Sequence, residues 1–383
     1  MPAVGAIIGF SLCAAGPDSI KVKELVRIII SWFISPVLSG LAGAGLFWLV
    51  RRFILRAPNS LGRGLKFYPL LIAVTLAVNI FFVLYKGPIQ DFESILPVGY
   101  GVLVALGAGI VIALILQFTA VPMLKRRLYS FSSRSVRGIK GSGLPYNKVS
   151  DVDGDDATED TPILNETPSG AVVAQSSFSR FLDATVTRDI HAEEKSEEVS
   201  RIHSDAEVFD ETTEELFSYL QVATACFASF AHGANDVANS VAPFAMIWLL
   251  YSTNTIPTSD VTAEPWILAY GGVGIVAGLA LYGYKVMRTL GTKLIKMTPS
   301  RGFAIELAAA TVVVTASMIG LPISSTHCQV GATVAIGACE GQSGFNKMLF
   351  FKTFGAWMFT IVFAGAVTAG IFSYAYFSPF ATM

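Results

Sequence analysis

The run His232-Gly233-Ala234-Asn235-Asp236-Val237-Ala238-Asn239-Ser240 interrupts an apolar stretch spanning 216–251. A carboxylate and two carboxamides at that depth constrain the fold more than any other feature of the chain. An aspartate at the centre of a membrane helix costs about 2.5–3.5 kcal/mol on insertion scales. Such groups are kept there where they face a cavity, an ion or one another. Gly233 beside them predicts that the helix opens at this point. Opened backbone is tolerated in a bilayer only where it is buried in protein or lines a cavity. The run therefore predicts a site for an ion or anion part-way through a membrane.

The rest of the chain agrees with a bilayer. Its 383 residues are 53% hydrophobic and 14% charged, with a mean hydropathy of +0.58, too apolar for a soluble domain of this length. Runs of roughly the 20 residues that cross a bilayer lie at 26–50, 67–84, 96–118, 216–251 (interrupted), 266–286, 303–321 and 354–376. The apolar run 4–15 is too short to cross. The four cysteines, Cys13, Cys226, Cys328 and Cys339, have no CxxC spacing and read as small buried hydrophobes.

Charge divides the chain. Residues 121–215 hold 11 Lys/Arg and 19 Asp/Glu, 30 of the chain's 55 charges. This polar segment predicts a largely disordered linker, 124–215, between membrane blocks 1–123 and 216–383. A short helix within 207–220 feeds the next span. Lys and Arg crowd the linker start, the loop 51–66 and the segment 285–301, whereas 252–265 has none. Positive charge stays inside, so the first three are expected in the cytoplasm and 252–265 outside. That expectation makes the sequon at Asn165 inert.

An internal repeat is also present. Val4-Gly5-Ala6 aligns with Val330-Gly331-Ala332 and Cys13 with Cys339. After a one-residue slip, Trp32, Val37, Gly40, Gly45 and Phe47 align with Trp357, Val362, Gly365, Gly370 and Phe372. Flanking charges give the two copies opposite orientations, an architecture of many secondary transporters.

The second polar constellation is Pro322-Ile323-Ser324-Ser325-Thr326-His327-Cys328-Gln329. Proline removes a backbone donor and interrupts the helix before it. If both limbs enter from the cytoplasm, Ser324, Ser325 and Thr326 form the tip of a re-entrant hairpin. The second limb then points its helix N-terminus, with free N–H groups and partial positive charge, into the membrane. Hydroxyls suit the oxygens of phosphate or sulfate. Carboxylate, carboxamide and carbonyl oxygens suit a hard cation such as Na⁺. Glu306, inside the apolar run, is a candidate to titrate, to pair with Arg301 or to help bind a coupling cation. His232 and His327 lack zinc-ligand spacing. Gly271-Gly272-Val273-Gly274 lies in a span without βαβ context and reads as helix packing.

At these residues the chain resembles the inorganic phosphate transporter family of sodium-coupled symporters. The resemblance is carried by Gly233-Ala234-Asn235-Asp236-Val237-Ala238-Asn239-Ser240, by Pro299-Ser300-Arg301-Gly302-Phe303 with Ile305-Glu306, and by the run from Pro322 to Gly331. It implies an all-α polytopic membrane fold of inverted repeats with broken helices and re-entrant hairpins. It implies phosphate on Asn235, Asn239, Ser324, Ser325 and Thr326, sodium on Asp236 and Asn235, and Glu306 as a coupling candidate. The expected partners are inorganic phosphate, Na⁺ and membrane lipid, with a homodimer admitted and no nucleic acid. No cofactor is expected beyond the coupling ion, and no enzyme activity. The family address is the plasma membrane. The family carries each signature twice and this chain once, so a truncated first repeat that does not transport alone is expected. The alternatives are a proton-coupled phosphate transporter, or a non-transporting regulatory or scaffold protein of the membrane.

Overall fold

The computed structural model describes residues 2–86, 98–141, 197–253, 263–319, 321, 323–341 and 344–376. Among them are eleven α-helices and no strand. They are α1 (Pro2–Ala15), α2 (Val22–Val50), α3 (Ser60–Lys86), α4 (Val98–Phe118), α5 (Ala120–Gly141), α6 (Glu197–Asp205), α7 (Glu211–Thr253), α8 (Pro265–Arg288), α9 (Pro299–Met318), α10 (Ser325–Ala338) and α11 (Lys347–Tyr376). Six stretches among the described residues are long and apolar enough to cross a membrane, including Val22–Leu55, which carries α2 past its last turn, and the stretches built on α3, α4, α8, α9 and α11. Their outward faces are apolar, as at Leu103, Ile110, Val273, Val276, Phe359 and Val362. Exposed apolar surface on that scale marks contact with lipid.

Every expected span has a helix, but the expected opening at Gly233 does not occur. α7 is one unbroken helix of 43 residues, about 64 Å at 1.5 Å per residue. Glycine in a helix interior costs only ~1 kcal/mol and does not by itself break it. The break in hydrogen bonding comes from Pro243, inside the same helix. Proline has no N–H to give the carbonyl one turn back, here that of Asn239.

The repeat seen in sequence reappears as exchanged packing. α1 packs on α11, and α10, the counterpart of α1, packs on α2, the counterpart of α11. The contacts themselves correspond. Gly5 lies against the Ile361 carbonyl and its partner Gly331 against the Pro36 carbonyl, with no room for a Cβ at either. A pseudo-two-fold relation requires this reciprocity. Glycine permits it by letting backbones touch.

α9 and α10 form the hairpin. α9 starts and α10 ends at one place, where the Arg301 guanidinium meets the Glu340 carboxylate at 2.9 Å. Pro322 lies outside the described residues. Arg301 therefore does not pair with Glu306.

The linker is not uniformly irregular. α5 carries the helix to Gly141, with Leu124 and Leu128 buried in the main core. α6 and the segment after it bury Val199, Ile202 and Ala206. Apolar residues at helical spacing on these two stretches, diluted by charge in the composition, explain the difference. Residues 142–196, and Asn165 with them, lie outside the described residues. The four cysteines are free. Cys328 is fully buried, while Cys226 is exposed on the face of α7, an apolar thiol turned outward where a buried one was expected.

Candidate functional site

One cavity of about 1210 Å³ gathers the two constellations. Asn235, Asp236, Asn239, Ser240 and Pro243 line it from α7, and Ser324, Ser325 and Thr326 from the start of α10. The Ser325 hydroxyl donates to the Asp236 carboxylate, at 3.0 and 3.2 Å from its two oxygens. Residues 89 apart in sequence thus meet at the wall of one chamber. The Asn235 amide makes a long 3.4 Å contact with the same carboxylate. The Ser240 hydroxyl bonds the Asp236 carbonyl at 2.7 Å.

Ser324 is extended and caps α10, accepting from the His327 N–H at 3.4 Å. The N–H groups at the first positions of a helix have no intrahelical acceptor. Those of Ser325 and Thr326 stand at the cavity wall, where the helix end adds roughly half a positive charge. The wall therefore carries an anion-attracting pole beside a carboxylate.

Two further features of the chamber carry no signal in the sequence. Trp32, Thr360 and Thr368 also line the chamber, from α2 and α11. The first repeat contributes apolar groups, among them Ala3, Val4 and Ile7, from the counterpart of α10. No spacing in the sequence marks these residues, because they are brought in by the α1–α11 and α2–α10 packing.

Glu306 stands apart. It is not among the lining residues, and its carboxylate is bonded to Thr224 Oγ1 on α7 at 2.6 Å. His327 is buried, with its ring 4.0 Å from that of Trp357. Gly271 of the glycine run brings α8 against Val241 of α7, as packing.

On one side the chamber abuts the main core. Each of five helices has one stretch in the wall and another in or against the main core. α7 gives Leu216, Phe217 and Leu220 to the core and Asn235 onward to the wall. α10 gives the wall Ser324–Thr326 of its start and the core Val330, Ala332 and Ile336. α2, α9 and α11 divide the same way. The core stretches all lie toward the linker.

Comparison with known proteins agrees with this construction. Residues 2–368 match the phosphate transporter family. The chain is 29% identical to sodium-dependent phosphate transporter 2 of Xenopus tropicalis, across 96% of this chain and 80% of that protein. It is 30% identical to sodium-dependent phosphate transporter 1-A of Danio rerio, across 98% and 78%. A solved structure of a sodium-dependent phosphate transporter is similar, with a TM-score of 0.66 and 25% identity over 96% of this chain and 70% of that one. With a family match over nearly its whole length, and a helical fold that gathers the two signatures at one chamber, this multi-pass membrane protein belongs to the phosphate transporter family.

Proposed function

We propose that the chain carries inorganic phosphate in symport with sodium through this chamber. The observation that carries the reading is the bond from Ser325 to Asp236, which joins a cation ligand to an anion site. Asn235, Asn239, Ser324, Ser325 and Thr326 hold phosphate, with the free N–H groups at the start of α10. Asp236 and Asn235 hold sodium, and the Asn239 carbonyl freed by Pro243 supplies another hard oxygen.

Coupling follows from charge. Phosphate beside an ionised Asp236 is repelled by about 4 kcal/mol per unit charge at 4 Å in an effective dielectric of 20. Sodium on Asp236 cancels that repulsion. It also turns the carboxylate lone pairs to the cation and frees the Ser325 hydroxyl, which has one proton, to donate to phosphate. Sodium therefore binds first and raises phosphate affinity. Movement of the two repeats about this site then alternates access. Sodium is favoured over a proton as coupling ion because Asn235, Asp236 and Asn239, with their oxygen-bearing side chains, line the chamber, whereas Glu306 does not. The plasma membrane is the proposed address.

The test is radiolabelled phosphate uptake, with and without sodium, in cells without transporters of their own. Uptake that needs sodium and is lost in Asp236→Asn at equal surface level supports the reading. Sodium-independent uptake, or an unaffected Asp236→Asn, overturns the coupling. Surface expression without any uptake favours the regulatory or scaffold alternative and the expectation that this form does not transport alone.

A further inference from the structure

The core side of the chamber is fastened by a piece of the linker. Glu207 lies between the two limbs of the hairpin. Its N–H donates to Glu340 Oε2 at 3.0 Å, at the end of α10, and its carbonyl accepts from Arg301 Nη2 at 2.8 Å, at the start of α9. Arg301 is 1% exposed and lies over the rings of Phe47 and Phe209 at 5.8 and 5.4 Å. The Glu207 side chain reaches a third element. Arg56, just beyond α2, donates to both carboxylate oxygens, at 2.8 and 2.7 Å. Arg51 stands 3.8 Å from the same carboxylate and donates to the Cys339 carbonyl at 3.2 Å. Upstream, the His203 carbonyl accepts from Lys296 Nζ at 3.1 Å, and its ring meets the Thr292 carbonyl at 2.9 Å.

We propose that residues 202–210 are the latch of the linker-side gate, with Glu207 as its positioning residue. α9 and α10 carry the hairpin whose tip, about 20 Å away at 1.5 Å per residue along α10, forms the phosphate site. Any separation of these limbs from α2 that opens the chamber toward the linker breaks the Glu207 contacts. The latch therefore holds the chamber closed on the linker side, and loosening it populates the opposite state. The consequence for transport rests on the proposed function. The latch itself does not.

The test uses the full chain in membrane vesicles, with its four cysteines replaced by alanine. One reporter is Ile336→Cys, in the core between chamber and latch. The other is Thr368→Cys, in the chamber wall on the stretch of α11 away from the core. A membrane-impermeant thiol reagent is applied from each side without phosphate. In Glu207→Gln, weakening of the partly exposed pair with Arg56 is expected to raise Ile336→Cys labelling from the linker side about two- to fivefold and to lower Thr368→Cys labelling from the other. Arg56→Gln does the same, and the double variant adds nothing. A rise at both reporters would show loosening of the fold alone and overturn the proposal, as would no change at either. Because the readout is accessibility, failure of phosphate uptake leaves it intact.

Discussion

The hydroxyl of Ser325 lies 3.0 Å from one carboxylate oxygen of Asp236 and 3.2 Å from the other. One proton shared between two oxygens is available for release once a cation occupies them. Ser325→Ala removes the proposed donor to phosphate, a bond worth about 1.5–3 kcal/mol when the acceptor is charged. Its phosphate KM should rise about tenfold or more at saturating sodium, read from uptake at graded phosphate. An unchanged KM would remove Ser325 from the site.

Pro243 has a different signature. Pro243→Ala gives the Asn239 carbonyl back its hydrogen bond and relieves a helix interior of a residue costing about 3 kcal/mol. The variant should melt higher and need more sodium for half-maximal uptake, because the carbonyl is no longer free. Higher stability with unchanged sodium dependence would exclude that oxygen as a ligand.

Gly331 lies against the Pro36 carbonyl without space for a Cβ. Gly331→Ala should cost about 1–3 kcal/mol through overpacking, measured as a lowered melting temperature in detergent. Gly45, with open space where a Cβ would stand, is the control. Gly45→Ala should be neutral or stabilising by up to about 1 kcal/mol.

Arg301 and Glu340 form a buried pair, their side chains 1% and 5% exposed. Arg301→Met leaves an uncompensated carboxylate and should cost about 3–5 kcal/mol. Arg301→Met with Glu340→Leu should recover much of that loss, because no lone charge then remains buried. Equal losses in the single and double variants would show that packing, not charge, is at stake.

Glu207 carries the pH dependence of the latch. The hydrogen bond from Arg56 holds its carboxyl below the usual value of 4.5, against a smaller opposing effect of burial. A depressed carboxylate stabilises the fold above its unfolded pKa and loses that contribution as pH falls through the folded one. The gap in melting temperature between wild type and Glu207→Gln should stay constant from about pH 8 to 5 and shrink below about 4.5. A gap that shrinks above pH 5 would place the titration on another group.

What was legible in the sequence was local. Long apolar runs must be helices in lipid, since no water is present to satisfy free backbone. A carboxylate beside two carboxamides, and hydroxyls before a helix, are costly there unless they meet. The repeat was legible because touching helices need glycine at fixed steps, as Gly5 and Gly331 show. Gly233 misled because glycine permits a break and does not compel one; α7 stays whole there, and the bond it lacks is the one Pro243 has no N–H to donate.

The sequence by itself determined the membrane helices, the repeat and the two polar motifs, because each depends on residues near one another along the chain. The tertiary structure alone decided that Ser325 reaches Asp236, that Arg301 takes Glu340 and not Glu306, and that the Glu207 N–H reaches Glu340. Those partners stand 89, 39 and 133 residues apart. At such separations, local preference does not select a partner. Helix packing does, by choosing which polar groups share a space from which water is excluded.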